Sequence, residues 1–369
     1  MPPYPRYADG GAFVQIDTAP ADSVQRWVAH LSSASAYRFR VAAFSPRNTT
    51  GYSNTLGIRS VVQNFERIYS ITPTPGAREV YSLAFSPDGK MLAGGGTFDI
   101  DLWSAGDGTQ RGVLQNPTGS WMRTIVYAPG GTMLAAARAV CADLWDPVTG
   151  QLIRSLSPDA SGGLACVSFD PTGNILVCGT GSGITLSDTR TGSLLRRIDD
   201  SRLLQIARMS PDGGTIAAGG NPITLYRTID GSIAGSIAGQ NSVAQIAYSP
   251  DGNTIAASSS QDLTVRLWSA GTGALLHELS GRTHGWSIAF SPDGRWVAAG
   301  DWLLAPPPGE ETSGEATMWN VNDGSVVTTF PGNSHTSGVA FNPFGNLIAV
   351  GMSGRVDVWA VKGTWVPSP

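Results

Sequence analysis

The chain has 369 residues, of which 41% are hydrophobic and 14% charged, and its formal net charge is −4. This composition excludes a coiled coil, a membrane-spanning helix and a disulfide scaffold, and the weakly acidic balance gives no electrostatic basis for binding nucleic acid. The 46 glycines and 24 prolines instead indicate the many turns of a chain of short strands.

The first segment, residues 1–59, contains the run LSSASAYRFRVAAFS (31–45) followed by TTGYSN, and this stretch resembles the end of a fibronectin type III domain. Leu31 and Tyr37 match the spacing near the tyrosine corner of that family, but the early strands and the core tryptophan of such a sandwich are missing. We therefore expect a partial fibronectin III-like segment of a longer polypeptide; a short extension that packs on the rest of the chain is the alternative. An inward apolar face is expected from alternating residues: Phe39, Val41 and Ala43.

After a linker at 60–65, residues 66–363 repeat one turn phrase seven times, as SPDG, APGG, DPTG or NPFG. The copies are about 40 residues apart, which is typical of repeat architectures. Proline presets the turn backbone and glycine supplies the positive φ that closes a hairpin. The prolines of the seven copies are Pro87, Pro129, Pro171, Pro211, Pro250, Pro292 and Pro343.

Each copy is flanked by apolar runs that predict four short strands per unit and no helix. The first unit shows the pattern, with VYSLAF before the phrase, MLAGGG after it and then DIDLW. The third run usually ends in an aromatic residue, whose positions along the chain are Trp103, Trp145, Tyr226, Trp268, Trp319 and Trp359, with Ser187 in the third unit.

These units, such as DLWDPVTGQLIRSLS, resemble the WD40-repeat family of β-propellers. The resemblance implies an all-β, seven-bladed propeller whose last blade takes its fourth strand from the N-terminal side, at RIYSIT (67–72). The propeller implied by the resemblance ends at residue 363, so residues 364–369 are expected to form a tail. The family's polar network is mostly eroded: Asp262 and Trp268 fit it, but Gly239 stands where a histidine is expected. The blades should therefore depend on apolar packing.

Sites with chemistry are scarce. Cys141, Cys166 and Cys178 lie in apolar runs and are expected to be buried, inert thiols, although a Cys166–Cys178 bridge stays open. No zinc, nucleotide or catalytic-triad motif occurs, so no cofactor is expected. The phrase aspartates serve turns, and a metal site has little support because nothing in the sequence fixes its geometry; its four candidate ligands are His284, Asp301, Glu310 and His335.

The sixth unit carries an insertion, DWLLAPPPGEETSGEA (301–316), between its second and third strands. Insertions in repeats often lie on a binding face, and a tolerated surface loop is the alternative. We expect partner contacts from four of its residues: Trp302, Leu303, Glu310 and Glu311. Loops expected on the same rim add Trp121, Arg123, Arg138 and Trp286, although strand packing would also explain the two tryptophans.

The sequence thus predicts a non-catalytic, monomeric propeller that binds a protein or peptide partner on one rim. The competing hypothesis is an enzyme or small-ligand propeller, TolB-like or other, that uses its central channel. The compartment stays open.

Overall fold

The computed structural model describes residues 36–39, 42–43, 51–52, 56–59, 63–73, 79–97, 99–116, 119–157, 163–200, 202, 204, 206–279, 285, 287–301, 314–332 and 336–363. Every regular element among them is a β-strand, so this part of the chain offers no helix that could cross a bilayer. The chain divides into two compact units, one of residues 1–66 with 361–369 and one of residues 67–360.

The first unit contains two small antiparallel pairs. Strand β1 (Ala36–Phe39) pairs with β4 (Leu56–Arg59), and β2 (Ala42–Ala43) pairs with β3 (Gly51–Tyr52). Leu31 and Val41 lie outside the described residues. The resemblance to a fibronectin type III domain therefore stays a prediction, as do the boundaries proposed for the N-terminal segment and linker.

The rest of the described chain forms seven four-stranded sheets, here called blades 1 to 7, preceded by β5 (Gln63–Ile71). Blade 1 contains β6 (Val80–Phe85), β7 (Met91–Gly96), β8 (Ile100–Ser104) and β9 (Gln110–Leu114). Blade 2 contains β10 (Thr124–Tyr127), β11 (Leu134–Ala137), β12 (Ala142–Trp145) and β13 (Leu152–Leu156). Blade 3 contains β14 (Leu164–Phe169), β15 (Ile175–Thr180), β16 (Gly183–Asp188) and β17 (Leu194–Asp199).

Blade 4 contains β18 (Ala207–Met209), β19 (Thr215–Ala218), β20 (Ile223–Arg227) and β21 (Ile233–Ile237). Blade 5 contains β22 (Val243–Tyr248), β23 (Thr254–Ser259), β24 (Val265–Ser269) and β25 (Leu275–Leu279). Blade 6 contains β26 (Ser287–Phe290), β27 (Trp296–Gly300), β28 (Ala316–Asn320) and β29 (Val326–Phe330). Blade 7 contains β30 (Thr336–Phe341), β31 (Leu347–Met352), β32 (Arg355–Gly363) and β5.

The blades form a closed ring. The first strand of each blade contacts the first strand of the next, from β6 through β10, β14, β18, β22 and β26 to β30, and β30 contacts β6. Strands follow one another in sequence order within blades 1 to 6, and in blade 7 β30, β31 and β32 are followed by β5. The prediction of an all-β, seven-bladed propeller is therefore confirmed, with the first strands around a central channel.

The turn phrase works as its residues predict. In blade 1 the Ser86 amide donates to the Met91 carbonyl at 2.9 Å, and the Ser86 hydroxyl donates to the Asp88 carboxylate at 2.6 Å. Gly89 closes the turn at φ +68°. Successive turns also touch, because a Cβ added to Gly131 would lie 3.6 Å from Cδ of Pro87 in the preceding blade.

Strand β5 completes blade 7, which confirms the predicted closure. The fully buried Asp357 of β32 accepts hydrogen bonds from the Ser70 hydroxyl at 2.6 Å and from Arg67 at 3.3 Å. Tyr69 reaches across to blade 1, where its hydroxyl donates to the Ala105 carbonyl. Hydrogen bonds between residues distant in sequence therefore stabilise the closed ring.

The core lies between neighbouring blades, where second and third strands bury their side chains. Trp103 packs closely in this core: a Cβ added to Gly94 would come within 2.5 Å of its ring, so only glycine fits at that position.

In the part of the chain that the structure describes, the polar network of the family is absent around Trp268 of blade 5. Asp262 accepts a hydrogen bond from the Ser259 hydroxyl at 2.9 Å and does not bond to Trp268. The buried Nε1 of Trp268 has no hydrogen-bond partner among the described residues, which supports the predicted reliance on apolar packing.

The three cysteines are free and buried, which confirms their predicted burial, and no bridge joins Cys166 to Cys178. Burial raises the pKa of Cys178, and the neighbouring Cys166 adds to that effect. The Cys166 sulfur accepts a hydrogen bond from the Ala207 amide at 2.9 Å, and this bond helps to join blade 3 to blade 4.

Deleting residues 66–72 should open the ring and leave Asp357 without two of its partners. We expect the melting temperature to fall by at least about 5 °C. The substitution Ile68→Thr is the control, because Ile68 is exposed and its backbone keeps the strand. An unchanged melting curve for the deletion would refute closure by β5.

Alkaline pH should weaken the contact made by Tyr69. Burial, with the charge of Asp107 adding to it, raises the pKa of Tyr69 from 10.0 to about 12. The folded state therefore holds this proton more tightly than the unfolded state, so its contribution to stability is full below pH 10 and is lost as the pH rises through about 12. Denaturant unfolding should show a shallower alkaline loss for Tyr69→Phe than for the wild type, whereas equal slopes would contradict this assignment.

Candidate partner-binding site

The ring has two chemically different ends. In an antiparallel blade, the connections between first and second and between third and fourth strands lie at one end, which we call the turn rim. The other connections lie at the opposite end, which we call the loop rim. The predicted partner-binding residues all fall in or beside connections of the loop rim.

An aromatic pair, one ring exposed and the other half-buried, lies on the loop rim between blades 1 and 2. Trp121 is 60% exposed, and its ring centroid lies 6.0 Å from that of Tyr81, with the planes tilted by 33°. The next residue, Met122, is 1% exposed and its amide donates to the Gly96 carbonyl at 3.0 Å. A buried anchor therefore holds Trp121 in place at the surface.

Tyr81 is oriented by its hydroxyl group. Burial and a hydrogen bond to the Glu79 carboxylate raise the pKa of Tyr81, while a hydrogen bond with Thr97 opposes that shift. The phenol is therefore neutral at physiological pH and donates to Glu79. The aromatic pair thus joins apolar rings to a carboxylate, a combination suited to recognising a polypeptide.

The surface continues on blade 2. The Arg123 amide donates to the Ala137 carbonyl at 3.1 Å, and the Arg123 side chain is exposed. Val140, in the connection between the second and third strands, is 65% exposed. We call Tyr81, Trp121, Arg123 and Val140 the aromatic patch.

Arg138 contributes differently from its neighbours. The sequence groups it with exposed rim arginines, but the side chain is 6% exposed and its Nε lies 2.6 Å from the buried Asp143 carboxylate. The Ser155 hydroxyl donates to the same carboxylate at 2.6 Å. Arg138 therefore supports the 138–141 turn from below, and its guanidinium is not part of the exposed surface.

The insertion of blade 6 begins and ends on the loop rim. The Asp301 amide donates to the Glu315 carbonyl at 3.1 Å, and the Thr336 hydroxyl donates to the Gly314 carbonyl at 2.6 Å. These bonds fix both ends of the insertion to the ring. The other predicted contact residues, Trp286, Trp302, Leu303, Glu310 and Glu311, lie outside the described residues and stay predictions.

The described residues contain no group of three or more histidine, cysteine or acidic side chains that could hold a metal ion. Asp301 is buried. The other three candidate metal ligands, His284, Glu310 and His335, lie outside the described residues.

The first strands present a column of small residues near the turn rim, two positions before each phrase. Six of the seven are alanine, serine or valine, and one is arginine. In blade order they are Ala84, Val126, Ser168, Arg208, Ala247, Ala289 and Ala340.

Sequence reasoning missed Tyr81 and Val140. Tyr81 lies in the run VYSLAF, which predicts a strand, and nothing in the sequence indicates that its ring contacts Trp121. Val140 could have been predicted as a surface residue, since it lies in a connection between strands on the same rim as Trp121.

Four segments of the chain match the family described as WD domain, G-beta repeat: residues 66–104, 224–269, 273–302 and 324–360. They cover β5 with three strands of blade 1, and parts of blades 4 to 7. No curated protein sequence matches the chain.

Replacing Arg138 by alanine should leave the buried Asp143 carboxylate without its main cation. We expect the free energy of unfolding to fall by about 3–5 kcal/mol. The exposed neighbour Arg123→Ala should change it by no more than about 0.5 kcal/mol. Denaturant unfolding measures both, and equal effects of the two substitutions would contradict the structural role of Arg138.

Proposed function

We propose that this seven-bladed propeller, built of WD40 repeats, is a non-catalytic scaffold that binds a protein or peptide partner on its loop rim. The observation that carries the proposal is the exposed Trp121, which contacts the half-buried Tyr81 and lies on a rigid ring beside the exposed Arg123.

Residue types and rigidity both support a polypeptide partner. Tryptophan, tyrosine and arginine are the side chains most enriched among residues that dominate binding energy at interfaces. Because Met122 and the Glu79 hydrogen bond already hold the two rings, little side-chain freedom is lost on binding. A matching partner segment would place an apolar side chain against Trp121 and an acidic group near Arg123.

The insertion of blade 6 extends the proposed surface. Blades 6, 7, 1 and 2 are consecutive in the ring, so the ends of the insertion and the aromatic patch lie on one arc of the loop rim. A partner that spans this arc would contact the predicted insertion residues Trp302, Leu303, Glu310 and Glu311. Trp286, in the connection between blades 5 and 6, would lie at the end of the same arc.

A scaffold fits the channel better than an enzyme does. An enzyme would bring carboxylates and histidines together where substrate can enter. Around the channel of this protein, six of the seven first-strand positions near the turn rim carry alanine, serine or valine. This column supports the scaffold over the channel enzyme.

The experiment selects peptide ligands from a random-peptide library on the intact protein and measures their affinities for variants. Trp121→Ala should weaken the binding of loop-rim ligands by about 30-fold or more, the loss of about 2 kcal/mol that a dominant aromatic contact gives. Fluorescence anisotropy with labelled peptides provides the measurement.

Phe344→Ala is the matched control, because Phe344 is an aromatic residue, 70% exposed, in the turn phrase at the opposite rim. Its substitution should leave the affinity unchanged. If the selected peptides bind the Trp121 variant as tightly as the wild type, or lose affinity only with Phe344→Ala, the loop rim is not the binding surface.

A further inference from the structure

A second candidate site lies at the other end of the ring. The mouth of the central channel on the turn rim holds a cavity of about 290 Å³, which is lined by residues of blades 2 to 6. Its walls are mainly apolar and rigid, since they include turn-phrase prolines and side chains of the first strands. Among them are Phe169, Pro171, Met209, Ile246 and Ile288.

The cavity contains one cation, Arg208 of β18. The equivalent position of the six other blades carries alanine, serine or valine, so the repeat itself does not need a charge there. Nη1 of Arg208 donates to the Val167 carbonyl of blade 3 at 2.9 Å. None of the carboxylates in the described residues forms an ion pair with this guanidinium.

The one acidic residue on the cavity wall, Asp170, is engaged elsewhere. Its Oδ1 accepts from the Ile175 amide at 2.7 Å, and its Oδ2 accepts from the Thr172 hydroxyl at 2.5 Å. Both carboxylate oxygens therefore serve the turn phrase of blade 3. Neither oxygen bonds to Arg208, so this carboxylate does not occupy the donors of the guanidinium.

Arg208 is half-buried and lines the cavity with donors that the chain does not use. Burial lowers the pKa of the Arg208 guanidinium, which remains protonated at neutral pH. A guanidinium has five N–H donors, and its planar fork matches a carboxylate. An anion at this point would pair with the positive charge of Arg208 and accept hydrogen bonds from its remaining N–H donors.

We propose that the turn-rim mouth of the channel binds a small organic monocarboxylate with an apolar or aromatic body, its carboxylate on Arg208 and its body against the more accessible apolar wall residues Pro171 and Ile288. A single cation balances one negative charge, which favours a carboxylate over a phosphate dianion. The volume of about 290 Å³ is at the lower end of small-molecule sites and fits a compact ligand. This site is independent of the loop rim.

The test uses the full chain and 4-fluorophenylacetate as the probe, followed by ¹⁹F NMR titration. The wild type should bind the probe, and Arg208→Ala, which gives blade 4 the alanine of most other blades, should weaken binding by about 10-fold or more. Arg295→Ala is the matched control, because Arg295 is an exposed arginine in a turn phrase on the same rim. It should bind like the wild type.

Two further measurements separate the ligand chemistries. The amide analogue 4-fluorophenylacetamide should not bind, and inorganic phosphate should not displace the carboxylate probe. Melting curves check folding; Arg208→Met is a second variant that keeps the side-chain bulk without the charge, and it should melt no lower than the wild type while losing the probe.

The proposal is overturned if the wild type does not bind the probe, if Arg208→Ala and Arg208→Met bind it unchanged, or if the amide binds equally well. Tighter binding of phosphate would overturn the choice of a monocarboxylate. Trp121→Ala should leave probe binding unchanged, so that failure here and failure at the loop rim are distinguishable.

Discussion

The structure depends on the joining of the seven first strands into a ring. No blade could bury both faces alone, and each takes its missing cover from the next one. Side chains of one first strand hold the backbone of its neighbour, as where the Ser82 hydroxyl accepts from the Ile125 amide at 3.0 Å and Ser287 accepts from the Val339 amide at 3.0 Å. At the seam, the Ser337 hydroxyl donates to the Val80 carbonyl at 2.6 Å, which connects blade 7 to blade 1.

This joining gives the two rims different properties. At the turn rim, the proline of one phrase packs on the glycine of the next, and Phe344 takes the place of proline against Gly89 at the seam. Seven short turns in contact leave little freedom to vary there. On the loop rim the connections differ in length, from two residues between β15 and β16 to fifteen between β27 and β28, and side chains such as Trp121 and Val140 are exposed there. The rigidity of one rim thus supports variation on the other.

The sequence predicts those parts of the fold that local chemistry repeats. A proline and a glycine in a fixed phrase specify a hairpin without help from elsewhere, and the copies in phase specify the number of blades. The burial of Arg138 could not be predicted in this way, because it depends on the register that brings Asp143 beside it. The contact between Tyr81 and Trp121 could not be predicted either, because it depends on how blade 2 packs against blade 1. Arg208 was visible in principle, since aligning the seven repeats isolates one charge in a column of small residues.

Closure of the ring by β5 also has a consequence in time. Ser70 and its partner Asp357 are 287 residues apart, so at a synthesis rate of about 5–20 residues per second the strand waits roughly 15–60 s for its sheet. During that interval it is an unpaired β-strand, which other chains can join. Glu66 and Arg67 place charges on this strand, and both remain exposed in the finished ring. Such charges discourage pairing with a second chain while the strand waits, so the residues that begin the ring also protect the nascent protein.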